Sequence, residues 1–330
     1  MSTSRRLPNE RRAGPPQASS LPLGGTARGA KGAPVTAPGQ RWTPGRLLAW
    51  AALLGMLLVT LLPLWFALKT ALVPPQQLYE QSASLVPRDP TLLNFRRVLG
   101  LLSPEQSLAV GGSGAEINFL RALGNSVLFT AIIVTLQVGC AAMAAYAFAR
   151  LRFPGRDLLF ALFVGTMMVP GVVTFIPNFI LIKELGWLDT LAGMVAPFCL
   201  MQGFSVFFLR QFFLGIPRDI EEAALLEGAS QAYIFARVVL PLSSSALATI
   251  AMLTGINIWN EFFWPYLVAK DEAHQVLTVA LQTFKSQTPQ GQPDWTGLMA
   301  AAAVAVLPVL LLLLAFGRRV IESVQYSGGK

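Results

Sequence analysis

Few side chains in this chain are spaced for covalent chemistry. It has two cysteines, Cys140 and Cys199, and one histidine, His274. Both cysteines lie in long apolar runs, where a free cysteine behaves as a small hydrophobe. His274 reads as a solvated surface residue. No Cys/His cluster has metal-site spacing, and no nucleophile–base set stands out. Gly24-Gly-Thr-Ala-Arg-Gly29-Ala-Lys31 has the glycines and the lysine of a phosphate loop. It lacks the order, because lysine should follow the second glycine directly, with Ser or Thr next, between a strand and a helix. The chain is therefore expected to carry no ATPase site, no cofactor and no metal. Between Val238 and Val268 the only charge is Glu261. A lone carboxylate in an apolar run is a candidate for a transport path, with Asn260 and Gln282 as weaker ones. Glu261 also follows Pro241 by 20 residues, about 30 Å of helix rise. That places it beside Trp259 and Trp264, which suit an interfacial belt, so anchoring is the competing reading.

The densest polar group is Glu222-Ala-Ala-Leu-Leu-Glu227-Gly228-Ala229, followed by Phe235 and Leu240-Pro241. Its chemistry is mechanical. Pro217 and Asp219 predict a helix start, with Asp219 as N-cap and Glu222 at the capping-box position. Ala223 and Ala224 predict a face bare enough for close approach by a second protein. Gly228 can take positive φ and end the helix, and Ser230 can cap the next one. The product is a helix–turn–helix island joined by a proline to an apolar run, suited to receive a push and pass it on. A shorter connection would join two spans at lower entropic cost.

The elements around the island are membrane spans. The chain is 54% hydrophobic and 13% charged, where a soluble domain carries about 25% charged residues. Six windows lack any charge: 47–68, 122–149, 158–182, 190–209, 238–260 and 295–317. Each is long enough for a helix to cross ~30 Å of hydrocarbon, and backbone polar groups in lipid close internally only in helices or barrels. The reading is all-α, a polytopic membrane protein with six transmembrane helices. Residues 1–46 carry eight basic side chains and one acidic, and 150–157 carry three and one. The segment 261–294 carries two basic and four acidic. This asymmetry predicts both termini and the island on the cytoplasmic side, and 69–121 outside. It also accounts for the net charge of +8 through contact with membrane lipid, without nucleic acid. Residues 1–45 read as a disordered basic tail, 46–325 as the transmembrane domain, with the island inside 216–241. Pro170 and Pro177 predict bending of the third span, and the polar 283–293 predicts an outer loop.

Glu222-Ala-Ala-x-x-Glu227-Gly228-Ala229, with Phe235, Val238, Leu240 and Pro241, resembles the cytoplasmic E-A-A-x-x-D-G-A loop of binding-protein-dependent ABC importer permeases. Thr91-Leu-Leu-Asn-Phe95, Asn125-Ser126, Ala144-Ala-Tyr-Ala-Phe-Ala-Arg150, Phe153-Pro-Gly-Arg156, Met167-Met-Val-Pro170, Ile216-Pro217 and Trp259-Asn-Glu-Phe-Phe-Trp-Pro265 are similar to the carbohydrate, maltose-type branch. The resemblance covers about residues 46–325. It implies a type I ABC importer permease fold in the bacterial inner membrane and transport without catalysis. It implies a second homologous permease subunit, a cytoplasmic ATP-binding subunit dimer and an extracytoplasmic sugar-binding protein as partners. It makes Glu222, Ala223, Ala224, Glu227, Gly228, Ala229, Phe235, Leu240 and Pro241 the ATPase-coupling residues. Amino-acid or peptide import, and less so a secondary transporter, are the alternatives. Glu227 replaces the usual aspartate, and the ending Tyr326-Ser-Gly-Gly-Lys330 differs from the usual one. Ser245 stands where many members have proline, which predicts a straighter fifth span.

Overall fold

The computed structural model describes residues 44–113, 118–286 and 293–328, with side chains as far as 317. The expected tail at 1–45, apart from its last two residues, lies outside the described residues. So do most of the polar 283–293 loop and Gly114 of the glycine run at 111–114. The chain divides into two compact units, 1–55 and 56–330. What the first shows is the opening of helix α1 (Pro44–Leu72), whose apolar side chains there are exposed.

In the second unit the described elements are helices. After the rest of α1 come α2 (Leu93–Val98), α3 (Pro104–Ala109), α4 (Phe119–Arg150), α5 (Arg156–Gly165), α6 (Gly171–Glu184), α7 (Leu191–Val195) and α8 (Gly203–Leu214). The island supplies α9 (Arg218–Leu226) and α10 (Gln231–Ile234). Then follow α11 (Leu240–Leu242), α12 (Ser244–Trp259), α13 (Phe263–Val268), α14 (Leu277–Ser286) and α15 (Trp295–Gly328).

The six uncharged windows all become helical, but in different ways. α1, α4 and the 295–317 part of α15 are uninterrupted and long enough to cross a bilayer. The third window is a pair, 156–168 and 171–184, bent by 94°. Pro170 is the cause: it bars the residue before it from the helical region, and Val169 is extended at φ −82, ψ 115. The fourth is split into α7 and the 12-residue α8. The fifth is again a pair, 231–242 and 244–259, bent by 78°. The straighter span expected from Ser245 is therefore overturned. The bend lies before it, at Ser243 (φ −100, ψ 15), just after a π-helical turn at Phe235–Val239. Pro241 has no N–H to give Arg237, and the ladder widens before it.

Packing follows the small residues of α4. Toward its Arg150 end, Ala141, Ala142, Ala145 and Ala149 are buried against Val206, Leu209 and Phe213 of α8 and Ala246 and Ile250 of α12. Alanine lets helix backbones approach closely where lipid offers no hydrophobic drive. Toward the other end, Phe129 and Ile133 join Ile182, Met194, Ile258 and Trp264 in a second cluster. A third holds Phe119, Ala122, Trp259, Leu277 and Ala300.

The 73–113 segment is pinned by polar groups instead. Lys69 is buried and its Nζ donates to Gln81 O at 2.6 Å. Asn94 Nδ2 donates to Ala71 O and Val73 O, both at 2.8 Å. Arg97 pairs with Asp294 at 2.8 Å, with side chains 4% and 7% exposed. Asp294 further accepts from Ser113 N, Ser113 Oγ, Thr296 Oγ1 and Gly297 N. A Cβ on Gly112 would overlap Arg97 Nη1, so the guanidinium reaches Asp294 only past a bare glycine. Burial alone would raise the Asp294 carboxyl, but Arg97 and the donors from Ser113 and Gly297 hold it below the ordinary carboxylate value of 3.8.

Candidate functional site

The island forms as two short capped helices. α9 starts on Pro217, which takes the N-cap position at φ −57, ψ 133 with no side-chain cap. The expected Asp219 cap is corrected: Asp219 lies inside the first turn. Proline presets an extended N-cap backbone, so the helix begins two residues earlier. Asp219 and Glu221 still sit in the first turn, where carboxylates favour the positive end of the helix dipole.

α9 ends as expected. Gly228 has φ +84. Its N–H donates to Leu225 O and that of Ala229 to Ala224 O, both at 3.0 Å. This pair of bonds is a Schellman closure, which needs a left-handed residue at the position after the cap. Ser230 Oγ then accepts from Tyr233 N at 3.2 Å and starts α10.

The faces divide differently from the sequence expectation. Glu222, Ala223, Glu227 and Gly228 are exposed. Ala224 and Ala229 are partly buried against the cluster around Phe213 and Ile234, as are Phe235 and Leu240. Ala224 is thus a packing residue toward α4 and α8, and the bare outward face narrows to Ala223. The outward surface carries large apolar side chains that sequence reasoning passed over. Leu226 is 90% exposed, with Ile220 and Leu225 at 42% and 45%. Beside the charged residues of α9 such an exposed patch is the kind that marks a protein contact. Pro241 is exposed at the far end of the island.

The inward attachment was also missed. Arg150, the last residue of α4, places Nε 2.7 Å from the Glu221 carboxylate, with side chains 5% and 11% exposed. Its Nη2 donates to Phe213 O and Ile216 O, both at 2.7 Å. One turn earlier, Tyr146 donates to Gln231 Oε1 at 2.8 Å, and its ring centroid lies 5.1 Å from that of Phe235. The available signal was weak: an arginine closing a 28-residue uncharged window and a doubled glutamate at 221–222.

The candidates for the path do not converge with the island. Glu261 Oε1 accepts from Trp264 N at 3.1 Å at the start of α13, and its carbonyl accepts from Thr278 Oγ1. Asn260 is exposed and its Nδ2 turns back to Ile256 O at 2.7 Å. Gln282 is exposed on α14. The Glu261 geometry fits an anchor. Glu261→Gln retains the accepting oxygen and is expected to keep uptake near wild type. Glu261→Ala loses an end cap worth about 1 kcal/mol and should lower thermal stability. A strong uptake defect in Glu261→Gln alone would put the charge itself on the path.

The family described as binding-protein-dependent transport system inner membrane component matches residues 137–325. The sn-glycerol-3-phosphate transport system permease protein UgpE of Escherichia coli is 31% identical over 270 residues, 80% of this chain and 92% of its own. The arabinooligosaccharides transport system permease protein AraQ of Halalkalibacterium halodurans is 32% identical over 207 residues, 63% of this chain and 73% of its own. A chain from the crystal structure of a bacterial ABC transporter involved in the import of the acidic polysaccharide alginate superposes with a TM-score of 0.70 at 23% identity. It covers 84% of this chain and 98% of that one. At that identity the likeness speaks for the fold.

Proposed function

The chain belongs to the family of binding-protein-dependent transport system inner membrane components, and on that premise we propose that it is one of two membrane subunits of a sugar importer. As a family member it is a non-catalytic, multi-pass permease of the type I importer fold. ATP hydrolysis belongs to a partner. The finer reading is that a cytoplasmic ATPase dimer docks on the island within 216–241, and that a second homologous permease subunit completes the path. An extracytoplasmic sugar-binding protein delivers the solute. Residues 46–325 form the permease domain and 1–45 a cytoplasmic tail. Glu222, Ala223, Glu227 and Gly228 make the docking contact. Ala224, Ala229, Phe235 and Leu240 pack the island against the spans, and Pro241 links it along the chain to α12. Asn260 and Gln282, both exposed, are the polar side chains left for the path.

The observation that carries this reading is the island itself. A short amphipathic helix is closed at its end by Gly228, with Leu226 standing outward and Glu221 buried inward. An idle loop has no need of both. The sugar assignment is supported by the name of AraQ, an arabinooligosaccharides permease, while the name of UgpE points to a polyol phosphate. Coupling is then a population shift between states to which the ATPase and the binding protein bind unequally. Purification from native membranes should recover an ATPase and a solute-binding protein with this chain. Reconstituted together, they should hydrolyse ATP faster with a sugar than without. Stimulation by an amino acid or a peptide instead would overturn the sugar assignment.

Orientation is tested by labelling. Leu101 is 67% exposed in the 73–113 segment. With Cys140 and Cys199 replaced by alanine, Leu101→Cys should react with an impermeant maleimide from the extracytoplasmic side of sealed vesicles. Labelling only from the cytoplasmic side would invert the topology.

A further inference from the structure

Beyond the apolar packing of Ala224, Ala229 and Ile234, the island is tied to the membrane spans by two routes, and they differ in stiffness. The route along the chain runs through Leu240-Pro241 into α12. It is interrupted twice. Leu240 N–H bonds to Phe235 O in the π-helical turn, and the axis then turns by 78° at Ser243. Helices bend where the regular ladder is broken in this way. An axial push on α10 and α11 therefore meets a hinge before it reaches α12.

The other route is lateral and made of charge. The Arg150 guanidinium joins α4 to α9 through Glu221, and to the end of α8 through Phe213 O and Ile216 O. Arg210 of α8 adds a return bond, from Nε to Phe148 O of α4 at 3.3 Å. Tyr146 ties α4 to α10 through Gln231. The two bonds from Arg150 Nη2 are charge-assisted and so stronger than neutral ones, and the Glu221 carboxylate lies against Nε as the counter-ion. A buried guanidinium parted from its carboxylate is left uncompensated, so the pair resists separation. Three elements thus share one cation at the point where an ATPase would push.

We propose, resting on the reading of the island as the ATPase-docking part, that Arg150 and Glu221 are positioning residues through which motion of the island reaches α4 and α8. These three move as one body, and α12 swings relative to them at Ser243. The coupling route is the buried ion pair and not the continuous chain.

The test uses the full complex in lipid, with Cys140 and Cys199 replaced by alanine and spin labels at Arg218→Cys and Met143→Cys in one carrier, and at Arg218→Cys and Leu253→Cys in another. Pulsed dipolar distances are compared between nucleotide-free and ATP-trapped states. The 218–143 distance should stay the same, and the 218–253 distance should shift. In Glu221→Gln the 218–143 distribution should broaden with ATP, and uptake should fall by about 5–150-fold, the usual span of a coupling energy. The ATPase should still co-purify, because the exposed face is unchanged. A 218–143 shift as large as the 218–253 shift in otherwise wild-type carriers overturns the proposal, as does normal uptake in Glu221→Gln. If Glu221→Gln fails to insert, the labelled carriers with the ion pair intact still decide. Failure of the ATPase to co-purify with the unmutated chain would instead overturn the docking reading beneath it.

Discussion

Replacing Gly228 by valine is expected to stop solute uptake and to cut recovery of the ATPase with this subunit, while membrane insertion survives. The cause is backbone conformation. A Cβ at Gly228 would meet nothing within 4 Å, so no neighbour is displaced. The residue sits at φ +84, where a β-branched side chain is a genuine outlier. Holding valine there costs on the order of 1–3 kcal/mol. The chain can relieve that strain only by giving up the Schellman bonds from Gly228 N and Ala229 N. Losing them unwinds the last turn of α9 and moves Leu225 and Leu226, and it shifts the Ser230 cap that starts α10. The spans are held by the separate packing of α4 against α8 and α12, so they should assemble as before. Gly228→Asn is the control, because asparagine tolerates the left-handed region better than other side chains. It should retain most uptake. Co-purification of the ATPase and uptake in the reconstituted complex are the measurements. Normal values of both for Gly228→Val would reduce the island to an idle loop.

Asp294→Asn is expected to produce the largest loss of stability. The Arg97 side chain is only 4% exposed. Removing the carboxylate charge leaves that cation buried without a counter-ion, and breaking such a pair costs roughly 3–5 kcal/mol. The amide keeps one acceptor for Gly297 N but cannot serve Arg97, Ser113 and Thr296 together. The segment carrying α2 and α3 should detach from the start of α15, read as lower thermal stability and faster proteolysis within 73–113. The sign with pH follows from the depressed carboxyl. Its contribution is fully present above the ordinary value of 3.8 and is lost as pH falls through the lower folded value. Acid should therefore loosen the wild-type segment, and Asp294→Asn should abolish that pH dependence. An unchanged melting temperature in Asp294→Asn would mean that the pair contributes nothing net.

Local and periodic features were legible in the sequence because their causes lie within a few residues. Of the six uncharged windows, three are single helices long enough to cross a membrane and two more reach that length only as bent pairs, while the fourth splits into two short helices. Gly228 ends α9 and Ser230 caps α10 because both devices act on neighbouring N–H groups. The Asp219 cap failed for an equally local reason: Pro217 was already set in the extended conformation that a cap requires. The family, and with it the import function, was legible in the spacing of Glu222, Gly228 and Pro241, since a motif is a local pattern.

The third dimension decided which residues meet. Arg150 and Ile216 lie 66 positions apart, and Arg97 and Asp294 lie 197 apart. No periodicity links such positions, because their pairing depends on how the helices stack. Ala223 and Ala224 are identical in composition, yet one faces outward and the other packs on the core, since a 100° step around α9 separates them. The bend at Ser243 was hidden behind Ser245 because a missing proline says nothing about the π turn that Pro241 forces before it. The sequence by itself determined the apolar windows, the Gly228 and Ser230 caps and the family motif, all of which are short-range consequences of hydrophobicity and backbone chemistry. Only tertiary packing decided that the island is clamped sideways to α4 and α8 by one buried guanidinium, because a buried charge takes whatever counter-ion the fold brings within reach.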